Sequence, residues 1–202
     1  AEARLLDALA QLEGCPLPFG DLEAVMLPAR VPGYHPSMLD ALGASGELVW
    51  VGRGSLGPRD GRVVLMRRDS VGLLTAEPGE PPEGPMAAAV LRLLASRGAC
   101  FQVELTQAVR DEGLDPAALD DAVWDLVWAG LVTNDTFAPL RALGRAPTRK
   151  AKARRSPRLR RGWGRVSGVR AGGGRWSLVS ALGATRAGPT EQAVARVGML
   201  LD

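Results

Sequence analysis

Arg149, Lys150, Lys152, Arg154, Arg155, Arg158, Arg160, Arg161, Arg165 and Arg170 fall in one stretch without a single Asp or Glu, with Arg145 and Arg175 at its flanks. Guanidinium groups pair bidentately with phosphate, and each phosphate neutralised releases condensed counterions. Trp163 and Trp176, set among these cations, suit stacking on exposed bases, worth roughly 1–3 kcal/mol per base. Residues 141–175 hold 13 of the 25 Lys and Arg. The other 167 residues carry 12 basic and all 22 acidic residues, a balance of −10 beneath a formal total of +3. A cationic arm on an acidic body predicts a polyanionic partner, nucleic acid before others. The same composition also suits a solvated linker between modules that touches nothing.

Arg53, Arg59 and Arg62 lie in a second candidate, the Gly-rich loop 52–62 between two β-rich runs. A wing tip reaching across a groove would bring them to backbone phosphates; an ordinary soluble turn would use them for nothing. His35, before Pro36, reads as a local cap rather than a catalyst, since no orienting partner is evident. Asp135, after Thr133 and Asn134, could serve as a base, but Asn-Asp-Thr is also common turn chemistry. No catalytic residue is assigned. Cys15 and Cys100 are 85 residues apart and the chain holds one His, so a Cys/His zinc site cannot be assembled; two buried reduced thiols are expected. No phosphate-binding-loop pattern occurs, and Gly172-Gly173-Gly174 does not supply one.

The elements that must carry these residues follow from periodicity. Leu5, Leu6, Leu9 and Leu12 give one helical face ending at Gly14. Phe19, Leu22, Val25 and Met26 give a second, stopped by Pro28, and residues 36–42 a short third. The runs 48–51 and 63–66 then read as a hairpin. Three helices and a basic-tipped hairpin is the order of a winged helix. After the Pro-rich linker 76–85 a second triplet follows: Met86, Val90, Leu93 and Leu94; residues 103–109; and Leu119, Val123, Leu126 and Val127 behind the start signal Asp115-Pro116. Little wing is evident after it. The predicted fold is mainly α with small β hairpins: tandem winged-helix domains at 1–75 and 86–140, a basic Gly/Arg-rich arm at 141–175, and the strand and first helix of a third module at 176–202. Asp120, Asp121 and Asp125 on the last helix would repel phosphate, and residues 36–42 offer no cation. The third helices are therefore expected to pack rather than read bases. No apolar run suggests a membrane span. The opening Ala1-Glu2-Ala3-Arg4 reads as a helix already under way, the sign of a piece of a longer protein.

Residues 126–143, with the words Leu126-Val127-Trp128-Ala129-Gly130-Leu131-Val132-Thr133-Asn134-Asp135-Thr136-Phe137-Ala138-Pro139-Leu140-Arg141-Ala142-Leu143, closely resemble a signature stretch of Lhr proteins, the large helicase-related enzymes of bacteria. Residues 46–52, 60–63 and 174–179 are similar to further stretches of that family. The resemblance implies the opening part of the tandem winged-helix extension that follows the motor of a superfamily 2, ATP-dependent, 3′-to-5′ DNA helicase linked to DNA repair. It implies ATP and Mg²⁺ for the motor core, none of whose motifs stand in this chain, and no cofactor for this region. Its implied partners are single-stranded or duplex DNA, or an RNA–DNA hybrid, and the motor core of the same chain, in a bacterial cytoplasm. Two alternatives stay open: an oligomerisation or docking scaffold built on Trp124 and Trp128, and part of a winged-helix DNA glycosylase-like unit whose catalytic carboxylate lies beyond Asp202.

Overall fold

The computed structural model describes residues 2–75, 77–145 and 173–183, with Gly188, Thr190, Glu191 and Val194. In the first unit α1 (Glu2–Leu12) buries Leu5, Ala8, Leu9 and Leu12. Gly14 ends it at φ 75° and donates its N–H to the Leu65 carbonyl at 3.0 Å. Strand β1 (Leu17–Pro18) leads into α2 (Phe19–Asp21), a π-helical turn at Leu22–Met26 and α3 (Leu27–Arg30). Pro28 does not stop the helix, as periodicity suggested. It has no N–H to donate, and the wide turn before it bonds the Leu27 N–H to the Leu22 carbonyl, so the helix absorbs the lost bond and continues. Val25 is exposed on this turn rather than part of the buried face.

Helix α4 (Pro36–Ser45) is capped by His35, whose Nδ1 accepts the Ser37 N–H at 3.3 Å, as the sequence suggested. Strands β2 (Leu48–Ser55) and β3 (Gly61–Arg67) pair antiparallel from Leu48↔Arg67 to Gly52↔Val63, with a bulge before Ser55. Sheet order β1-β3-β2 behind three helical segments is a winged helix. A short α5 (Val71–Leu74) follows, and residues 77–84 hold no regular element.

The second unit repeats the order with α6 (Pro85–Arg97), β4 (Cys100–Phe101), α7 (Gln102–Asp111), α8 (Leu119–Trp128), β5 (Val132–Asn134), α9 (Ala138–Arg145) and β6 (Arg175–Leu178). Asp115 caps the entry to α8, accepting the Ala117 N–H at 3.0 Å. Here β6 lies between β4 and β5, pairing Cys100↔Trp176 and Val132↔Leu178. This corrects one expectation: strand β6 does not open a third module but completes the second winged helix. Residues 135–174 join β5 to β6, two strands of one sheet. Residues 141–145 are helical, so the basic segment narrows to 146–172, outside the described residues; Thr190–Asp202 also lies mostly outside them.

One hydrophobic core runs through both units. Trp50 of β2 donates Nε1–H to the Thr136 carbonyl at 3.1 Å and accepts the Thr133 hydroxyl on its own carbonyl. Phe137 lies 6.4 Å from the Trp50 ring and 6.2 Å from Phe19. Val49, Val51, Val64 and Met66 make a smaller cluster on the sheet's other face, closed by Val71 and Val179. Residues 77–84 are not a free spacer, since the Gly79 N–H donates to the Ala129 carbonyl at 2.8 Å. Cys100 is buried but Cys15 is exposed, correcting the expectation of two buried thiols. Among the described residues no helix is long and apolar enough to cross a membrane.

Candidate nucleic-acid interface

A winged helix reads a major groove with its third helix, so the surroundings of α4 and α8 decide what this pair can do. Each is covered by the other unit. On α4, a β-carbon at Gly43 would sit 2.7 Å from the Asp135 carbonyl oxygen, and Asp40 accepts the Phe137 N–H at 3.0 Å. On α8, the Val127 carbonyl and the Trp128 ring press on Gly52 of β2, and Trp128 also presses on Gly61. Trp124 stacks on Trp128 at 5.3 Å. What α8 leaves exposed is Asp121 and Asp125. Partial loss of solvent beside the packed helix raises the Asp125 carboxyl above its ordinary range, exposed though the residue is, and the Asp121 charge adds to the effect. What α4 leaves exposed is Ser37, Ala41, Ala44 and Ser45, none of them a cation.

The wings remain. The hairpin turn is only residues 56–60, so Arg53 and Arg62 stand on strands rather than in the loop expected from composition. Arg59 is exposed at the turn, and Asp60 shapes that turn by accepting the Gly61 N–H at 2.8 Å and the Gly20 N–H at 3.3 Å. Arg59 and Arg145 line one cleft of about 330 Å³ with Gly20, Glu23 and Gly144. Gly144 backs onto the Arg59 carbonyl, so the chain enters the Arg-rich segment beside the first wing. Arg62 is exposed on the strand face that carries Val64 and Met66, opposite the face packed against Trp128. Arg53 is turned the other way: its guanidinium lies against Gly130 and donates to the Glu77 carbonyl at 3.4 Å.

Trp176 and Arg175, two of the expected contacts, are engaged within the fold. Trp176 is buried to 1 % exposure, edge-on to Trp124 at 6.1 Å, so it cannot stack on a base as expected. Alternation explains this: Cys100 and Trp176 face the core while Phe101 and Arg175 face outward. Arg175 is held by Asp135, whose carboxylate accepts the Arg175 N–H at 2.6 Å and Nε–H at 2.9 Å. That engagement gives Asp135 a turn-building role. Arg149, Lys150, Lys152, Arg154, Arg155, Arg158, Arg160, Arg161, Trp163, Arg165 and Arg170 lie outside the described residues.

Sequence reasoning treated Arg141 as one more cation of the arm. In the fold its guanidinium forks between Glu23 and Asp40, at 2.6 Å to each, with the Pro36 carbonyl accepting a third bond at 3.0 Å. Burial opposes its charge, but the bonds to Glu23 and Asp40 outweigh that and raise its pKa. Tyr34 beside it is pushed far above the ordinary phenol range by burial first and the Glu23 charge second. A second residue the sequence reading passed over is Phe101, an aromatic 52 % exposed. Among the described residues no group of three or more His, Cys, Asp or Glu is placed to hold a metal ion.

Residues 1–68 match the family model of the winged-helix domain of large helicase-related protein. The chain belongs to the large helicase-related family. It is 38% identical over 164 residues to the Lhr helicase/uracil glycosylase of Escherichia coli (strain K12), a match covering 78% of this chain and 11% of that protein. It is also 38% identical over 162 residues to the Lhr helicase/probable uracil glycosylase of Mycolicibacterium smegmatis, with the same two coverages. The chain thus spans about a tenth of the length of these Lhr relatives. The Lhr family match and the structure agree on the winged-helix fold, and the structure adds that two such units share one core.

Proposed function

We propose that this chain is a nucleic-acid-holding accessory region of an Lhr-type, ATP-dependent, 3′-to-5′ DNA helicase that serves repair. It grips the sugar-phosphate chain through its two wings and reads no bases. The observation that carries this reading is that α4 and α8 are each covered by the other unit, which leaves exposed arginines on the first wing and acidic or neutral helix faces at the surface. Arg59 and Arg145 at a shared cleft, beside the start of an acid-free segment with ten Lys and Arg, support a common phosphate track. The names of the relatives, helicase and uracil glycosylase, support the parent activity.

The test is a salt titration of binding to single-stranded, duplex and hybrid probes. Binding should tolerate sequence changes and weaken steeply with salt. Replacing Arg59 and Arg145 with Ser should lower the log–log salt slope by about 1 each. Replacing the basic residues of 149–161 with Ser should remove most of the affinity. A slope and affinity that survive both replacements would exclude the wings as the grip.

A further inference from the structure

Phe101 and Arg175 are direct cross-strand partners on β4 and β6, side chains to the same outward face. Such partners stand with β-carbons roughly 4.5–5.5 Å apart. Phe101 is 52 % exposed and Val103 beside it 70 %, while the buried core aromatics Phe19, Trp50, Trp124, Phe137 and Trp176 are each 9 % exposed or less. An exposed Phe costs solubility and contributes nothing to this core. Its backbone is nonetheless held firmly, since the Phe101 N–H donates to Glu104 at 2.7 Å in a cap that also engages the Glu104 charge. Arg175 is oriented through Nε by Asp135, and its terminal nitrogens have no partner among the described residues. In the chain the acid-free basic segment directly precedes this pair's strand β6.

We propose that Phe101 is a stacking platform for one unpaired base of a single-stranded nucleic acid, with the phosphate of that nucleotide taken by Arg175. This rests on the nucleic-acid-holding role above and adds a preference for single strands, because a base paired and stacked inside a duplex has no free face to offer an exposed ring. A ring offers its face to any base, so the platform is indifferent to sequence.

The experiment is anisotropy of the chain with a labelled oligothymidylate and with a duplex of mixed sequence. Phe101→Ala and Phe101→Leu should weaken the single strand roughly 5- to 100-fold and leave the duplex unchanged, while Phe101→Tyr retains both. Unchanged circular dichroism and thermal midpoint identify a folded variant, as expected for an exposed side chain. If the unaltered chain binds neither probe, the accessory role itself fails. If it binds and Phe101→Leu matches it, or Phe101→Ala weakens both probes equally, the platform is overturned while the grip by the wings stands.

Discussion

Gly52 of β2 lies so close beneath the Val127 carbonyl of α8 that no β-carbon fits between them. The contact joins the wing of one unit to the third helix of the other. Gly52→Ala should therefore cost about 2–3 kcal/mol, because the obstructing atom is backbone and the helix must lift. Gly61→Ala meets the Trp128 ring instead, which is half-buried and can turn, so its cost should be smaller. Urea unfolding of the two variants checks the order; equal losses would mean that the helix is not seated on Gly52.

The Arg141 fork is the polar counterpart of that contact. Its side chain is 12% exposed, against 17% for Glu23 and 32% for Asp40. Removing it strands two carboxylates inside the joint between the units, and Arg141→Ala should destabilise the chain by about 3 kcal/mol. Arg141→Lys should recover only part, because an ammonium cannot fork between two acids. A single cooperative transition is expected for the unaltered chain, since both units draw on one core.

Trp176 and Phe101 should behave as opposites. Trp176→Ala should lose about 3–5 kcal/mol by emptying the core next to Trp124. Phe101→Ala should change stability by no more than about 0.5 kcal/mol. Thermal melts of both variants decide, and comparable midpoints would contradict the alternation along β4 and β6.

Asp125 gives the stability a pH dependence of known sign. Partial desolvation and the Asp121 charge raise its folded pKa above the unfolded value, so the folded chain holds this proton more tightly. Its contribution is complete below the ordinary carboxylate range, near 4, and is lost as pH rises through the folded value. The charge also sits in the last turn of α8, where the helix dipole opposes it. Asp125→Asn should raise the melting midpoint at pH 7, and the gain should vanish near pH 3. A gain of the same size at both pH values would mean that the amide, not the lost charge, is responsible.

Local order was legible in the sequence wherever a few neighbouring residues decide it. The apolar face of α1, the His35 cap, the Asp115-Pro116 start and the 48–51/63–66 hairpin all follow from spacing and side-chain chemistry within one turn or one strand pair. The weak wing of the second unit was not legible, because β6 is four residues long and finds β5 some 40 residues back. A short strand states no partner. The exposure of aromatics and cations escaped for the same reason: Trp176 and Arg175 differ by one position, and only pairing with β4 says which of them turns inward.

The sequence alone therefore determined the winged-helix rhythm, the segregation of positive charge from an acidic body, and the absence of cations on the third helices. Only tertiary structure decided that the basic segment lies between two paired strands, that Arg141 and Trp176 serve the interior, and that α4 and α8 are each covered by the other unit. Periodicity and charge are properties of neighbours along the chain. Which face is left for a ligand depends on what residues far away have already buried, and glycines such as Gly43 and Gly52 reveal their purpose only once the opposing backbone is in place.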